Sequence, residues 1–293
     1  MTPRFVVTLA LVAAISVAGA FISYRANNVF VPQEGVGEKV LVGFADQVNN
    51  VAAITVEQGE ERLQLVKKAE VWQVRETGYP VSPDKVKSVL VWLVGLSKLE
   101  AKTANPNKYL LIDVDSPGKK DGRGRQFTLT GADGKQLAQI VLGKTAVGKA
   151  GPGRDAQYVR VAKEKTSWLA LGSVEAGVVL PDWVEPRFLK LDVDSVTYGR
   201  VEYDGDKVEV RRTGKSDSGS SLFEMIDVPE GRKTRTSTTI KFTATDLVNL
   251  DLIDARPFKE GRKATSKAFV ETETGLKLEF TMIEEDGKGW VSV

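Results

Sequence analysis

The sequence predicts an α+β fold: an N-terminal transmembrane helix followed by two similar modules, each an antiparallel sheet with a covering helix. Three observations carry this expectation. An uncharged stretch runs from Phe5 to Tyr24. Runs of alternating apolar and polar residues separated by turn residues recur from Val51 onward, the mark of antiparallel strands with one buried face. A helical apolar period begins just after the third of those runs, and a comparable order of pieces returns about 140 residues later.

The opening stretch lies between Arg4 and Arg25. Its twenty residues would make a helix of roughly 30 Å, the thickness of the hydrocarbon layer. Phe21 and Tyr24 suit the far interface. Residues 1–25 fit either an uncleaved signal-anchor or a signal peptide cleaved after Ala20, since Ala18-Gly19-Ala20 has the small-x-small form. In both readings the rest of the chain is exported, and the first makes it a single-pass inner-membrane protein with its bulk in the periplasm. Residues 26–50 read as a tether rich in Gly, Pro, Asn and Gln, with Val40, Leu41 and Phe44 docking on the domain.

The first module is expected over 51–180. Ala53–Glu57, Arg62–Lys67 and Val71–Arg75 form a meander with Ile54, Val56, Leu63, Leu65, Trp72 and Val74 turned inward. Ser82-Pro83-Asp84 opens a helix: Ser82 caps it, Pro83 suits the first turn, and Asp84 favours the positive end of the dipole. Val86, Val89, Leu90, Leu93 and Leu96 share its inner face. Val91 lies on the polar side with Lys87 and Lys98, and Trp92 on the flank. Apolar residues there either pack under a neighbouring segment or form a partner contact, so Val91 and Trp92 are the candidate partner-contact residues. Strands follow between Arg125 and Ala170, with Gly143–Gly153 as an exposed loop. Pro181 and Pro186 mark a boundary. The second, diverged module is expected over 187–293: a meander from Val193 to Met225, a shorter helix over Lys241–Leu252, and terminal strands over Lys267–Thr281 and Gly289–Val293.

Composition narrows the chemistry. The chain has no cysteine and no histidine, which removes disulfides, thiolate nucleophiles and the commonest general base and zinc ligand. Its net charge is only +2, so no field that gathers nucleic acid is expected. Gly143–Ala150 approaches the phosphate-binding G-x-x-x-x-G-K-[ST], but Ala150 stands where the Mg²⁺-holding hydroxyl belongs, and Gly151-Pro152-Gly153 stops any helix. Ser82-x-x-Lys85 matches the serine acyl-enzyme motif without its later elements in order. Asp113/Asp115 and Asp192/Asp194 are paired carboxylates, yet Gly124 and Tyr203 occupy the position where an EF-hand requires Glu. No catalytic residue, cofactor or metal site is assigned.

The stretch GYPVSPDKVKSVLVWLVGLSKLEAKTANP (78–106), the preceding ITVEQGEERLQLVKKAEVWQV, the later IVLGK, QYVRV and SWLALGSVE, and DWVEPRFLKLD together resemble the domain-of-unknown-function 4340 (DUF4340) family over roughly residues 45–260. The resemblance implies a membrane segment followed by repeated β-plus-helix units. It also implies an association with ABC-type transport systems of the gliding-motility auxiliary kind. The expected function is therefore a non-catalytic extracytoplasmic binding or scaffold subunit, with an inner-membrane complex as partner. A carboxylate-based enzyme of envelope glycan or lipid, which would show an Asp/Glu pair in a cleft, and a carrier with an apolar cavity stand as alternatives.

Overall fold

The computed structural model describes residues 13, 15–20, 34–118, 120–185, 187–228 and 230–293. Residues 15–20 are helical and exposed. The rest of the Phe5–Tyr24 span expected in the membrane lies outside the described residues, among which no helix is long and apolar enough to cross a bilayer. The described chain is rich in antiparallel sheet with few helices, an α+β architecture.

Alternation in the opening strands sets the first sheet. β1 (Val51–Gln58), β2 (Glu61–Lys68) and β3 (Val71–Val74) form the expected meander. Pairing of Ile54 with Leu65, Val56 with Leu63, and Leu65 with Val74 brings their side chains to one face. All six residues expected to point inward are buried. Five more strands complete an eight-stranded sheet in the order β3-β2-β1-β5-β6-β7-β8-β4. They are β4 (Lys98–Ala101), β5 (Arg125–Gly131), β6 (Gln136–Ala146), β7 (Ala156–Val161) and β8 (Trp168–Leu171). Strand β6 takes in Gly143–Ala146, so the loop expected over 143–153 begins only at Val147. The physical reason is close approach: a Cβ at Gly143 would stand 2.2 Å from the Ile112 carbonyl oxygen, so glycine here lets another segment lie on the strand.

Helix α1 (Pro83–Gly95) covers the inner face. The Ser82 Oγ accepts a hydrogen bond from the Lys85 N–H at 3.4 Å, Pro83 fills the first turn, and Val86, Val89 and Leu93 are buried with Leu96 just beyond. The boundary segment belongs to this core. Trp183 is fully buried against Phe127, with ring centres 6.3 Å apart, and its carbonyl accepts the Ser82 N–H at 2.8 Å. Both sheet edges are closed by the chain itself. Residues 37–40 bond to Leu96 and Lys98 alongside β4, and Tyr79 and Val81 bond to Val74 and Trp72 of β3. Such closure removes the row of open backbone groups that an edge would present.

The outer face of the sheet carries a second, smaller layer. A 3-10 turn at Pro106–Leu111 and the loop after it bury Tyr109 and Val114 on Val141. The Asp115 carboxylate accepts the Arg123 and Gly124 N–H groups at 3.1 Å, closing that loop.

A six-stranded sheet follows in the order β12-β11-β10-β14-β15-β16. Its strands are β10 (Val196–Tyr203), β11 (Asp206–Lys215), β12 (Ser221–Met225), β14 (Ser266–Thr272), β15 (Lys277–Glu285) and β16 (Lys288–Ser292). Helix α2 (Ser237–Thr245) lies over β10, β11 and β12, so close that a Cβ on Gly199 would meet Ala244 at 2.6 Å. The helix thus starts and ends earlier than the expected Lys241–Leu252. The apolar residues beyond it serve a 3-10 turn (Asp246–Val248) and β13 (Asn249–Asp251), which pairs with β9 (Arg187–Lys190). Leu252 and Ala255 then pack against the core of the first sheet, joining the two parts.

Candidate functional site

Two regions stand out, one apolar and one charged. On α1, Val89 and Leu93 hold the helix to the sheet while Val91, between them, is 61% exposed. Trp92 takes the other course expected for it. It is half-buried and packs on the core, and a Cβ on Gly172 would come within 2.9 Å of its Nε1. That Nε1 is buried and has no hydrogen-bond partner among the described residues. The structure therefore separates the two candidate contact residues: Val91 faces solvent, and Trp92 anchors the helix that presents it.

The charged region is a cleft of about 630 Å³, open to solvent, at the end of the first sheet where the β1–β2 turn meets the loop before β9. Glu60, Glu61, Lys120, Arg125 and Asp182 are among the residues that line it. Arg125 donates from Nη1 to the Ala176 carbonyl at 2.8 Å and from Nη2 to that of Gly143 at 3.3 Å. Burial lowers its pKa, opposed by the negative charges of Asp182, Glu175 and Asp113. Burial also raises the Asp182 carboxyl above the usual carboxylate range, opposed by Arg125 and Lys85. The Lys85 Nζ donates to the Pro181 carbonyl at 3.0 Å. Arg125 belongs to no sequence motif, and Asp182 opens the DWVEPRFLKLD stretch without any catalytic pattern around it. The two lie 57 residues apart in the chain, and only the sheet brings them together.

The other tempting residues have local duties. Ser82 caps α1. Asp115 holds the outer loop, while Asp113, with φ of 57°, has a buried Oδ1 that finds no partner among the described residues. The Asp192 carboxylate accepts the Asp194 N–H at 2.9 Å, and Asp194 accepts the Ser221 hydroxyl at 2.9 Å and pairs with Lys241 at 3.3 Å. Lys149 sits in the turn after β6, its N–H bonded to the Ala146 carbonyl. Among the described residues no group of three or more acidic, histidine or cysteine side chains could hold a metal ion.

Two large antiparallel sheets with short covering helices, an outward valine on the first helix and a charged cleft define a sheet-rich α+β protein. The family model described as a domain of unknown function, DUF4340, matches residues 72–268, more than half the chain. The chain belongs to the DUF4340 family. No curated protein and no solved structure matches it.

Proposed function

We propose that this chain is a non-catalytic, extracytoplasmic binding or scaffold protein, an accessory subunit of an inner-membrane complex of the ABC-type transport kind, built from two related meander-plus-helix modules. The uncharged Phe5–Tyr24 stretch supports a membrane anchor and export of the remaining chain. Family membership, with the gliding-motility auxiliary association implied by the sequence resemblance, supports the kind of partner. The observation that carries the reading is Val91: an apolar side chain 61% exposed on a helix whose opposite face is locked into the core. A rigid platform of this kind binds without a large ordering cost, and an anchor raises its local concentration beside a membrane partner. The test is affinity purification of the crosslinked full chain from membranes. Recovery of a transporter subunit with the native chain, and its loss with Val91→Lys, is the expected result. Absence of any membrane protein from the crosslinked fraction overturns it.

One observation favours a second reading, an enzyme of envelope glycan or lipid. Asp182 is a carboxyl whose pKa is raised by burial, in a cleft that also holds Glu60 and Glu61, the carboxylate pairing that such an enzyme requires. This reading requires release of soluble product from purified peptidoglycan or phospholipid vesicles by the full chain, and its loss in Asp182→Asn.

A further inference from the structure

Of the four edges of the two large sheets, three are closed by the chain itself. Besides β3 and β4, strand β12 is closed at Phe223, whose N–H donates to the Ser237 Oγ at 2.8 Å and whose carbonyl accepts from it at 3.0 Å. The fourth edge, β16, is different. The two-residue turn Asp286-Gly287, with φ of 54° and 71°, sets Lys288 opposite Glu285, Trp290 opposite Ile283 and Ser292 opposite Thr281. In a hairpin of this type those are the hydrogen-bonded pairs, so Gly289 and Val291 direct their N–H and C=O groups away from the sheet. Neither residue makes a further hydrogen bond with the described residues. The strand has no proline and no bulge, and its one charge, Lys288, sits at the turn end. Along its middle the strand itself carries no blocking device, and the one charged group against it, the Arg256 guanidinium 4.0 Å over the Trp290 ring, lies on the outer face.

The side chains continue the same pattern. Val291 pairs with Met282, which shares a face with the buried Phe280, so Val291 belongs to the core side of the sheet. It is nevertheless 41% exposed, because α2 covers this face only over β10–β12, at the opposite end of the sheet. An apolar layer reaches the edge and is left without a neighbour.

We propose that β16 pairs antiparallel with β16 of a second copy, centred on Val291, so that the two six-stranded sheets become one continuous sheet. The strand is complementary to itself in this register. Val291 meets Val291 on the core side, Gly289 meets Val293, and on the outer face Trp290 meets Ser292, large against small. The two Lys288 side chains are then about 20 Å apart along the strands, whereas parallel pairing would set them side by side. Antiparallel pairing also gives a two-fold axis and closes at two copies, where a head-to-tail contact would leave an open edge to propagate.

The test uses the full chain in detergent micelles, with protein mass measured by light scattering. The native chain is expected to be a dimer, and Val291→Lys a monomer with an unchanged far-ultraviolet spectrum. Because the chain has no cysteine, Val291→Cys carries a single thiol. A register centred on that residue brings the two Cα atoms to about 5.5 Å, within disulfide range. Under mild oxidation this variant is expected to form a covalent dimer on the order of tenfold faster than Val147→Cys, placed in the exposed β6–β7 turn. A monomeric native chain at tens of micromolar, with equal crosslinking of the two thiols, overturns the proposal. So does a dimer that Val291→Lys leaves intact, since the contact would then lie elsewhere.

Discussion

The guanidinium of Arg160, on β7, lies across the ring of Tyr109 with 4.7 Å between its carbon and the ring centre. It donates to the carbonyls of Val114, Ala162 and Glu164 and to the Ser116 hydroxyl, and the Tyr109 hydroxyl in turn donates to the Lys165 carbonyl at 2.5 Å. One side chain thus ties the outer layer to the sheet. Arg160 is only 4% exposed, and its burial lowers its pKa. Arg160→Met keeps the apolar stem but leaves those acceptors without a donor. It is expected to lower stability by about 2–4 kcal/mol, read as a fall in the urea midpoint.

The same layer rests on two glycines. A Cβ at Gly124 would stand 2.0 Å from the Asp115 carbonyl oxygen, and one at Gly143 2.2 Å from that of Ile112. Neither position has positive φ, so the demand is for space and not for backbone freedom. Gly124→Ala and Gly143→Ala should each cost about 1–3 kcal/mol and raise hydrogen exchange over residues 106–124, while exchange in β1–β3 stays as it was.

Val91 and Trp92 should respond in opposite ways. Val91→Lys exchanges one exposed side chain for another and is expected to move stability by no more than about 0.5 kcal/mol, measured by thermal melting. Trp92→Ala opens a gap beside Gly172 and should cost about 2–4 kcal/mol. Equal destabilisation by both would mean that Val91 is packed and presents no surface.

Tyr198 supplies a pH dependence. Burial, then its 2.5 Å hydrogen bond to Glu209, raises its hydroxyl to about 12 from 10.0. The folded chain holds this proton more tightly than the unfolded one. The contribution is therefore complete below about pH 10 and is lost as pH rises from about 10 to about 12. Difference absorbance between the native chain and Tyr198→Phe should place one phenol near 12, and the native chain alone should lose stability across that window.

Where short-range periodicity decides burial, the sequence was readable. Ile54, Val56, Leu63, Leu65, Trp72 and Val74 alternate because each second residue meets the core, and all are buried. The Ser82–Asp84 start of α1 was equally plain, since capping depends on residues within one turn. The second helix begins at Ser237, ahead of the expected Lys241, and no local signal marks that start because Ser237, Thr238 and Thr239 are poor helix formers. Ser237 sits at the helix start, where its hydroxyl serves the β12 edge, a partner 14 residues away that no local pattern reveals. Strand β4 carries no clear alternation in Lys98–Ala101, because its pairing with β8 is set by residues about 70 positions on. The charged cleft was illegible for the same reason. Arg125 and Asp182 look like ordinary surface residues until the sheet removes water from them. Of the candidate contact pair, the sequence puts both residues off the inner face, but Trp92 meets protein because Gly172, in a distant loop, makes room beside its ring.

The bonding of residues 37–40 to the β4 edge also fixes a length. With Gly37 held against Lys98, the membrane anchor proposed above would reach the folded body only through the residues between Arg25 and Gly37. Fully stretched, they reach about 40 Å. On that proposal, a body on so short a leash would survey little more than the membrane surface beneath it. Inserting flexible residues after Arg25 would widen that radius without touching a single packed side chain.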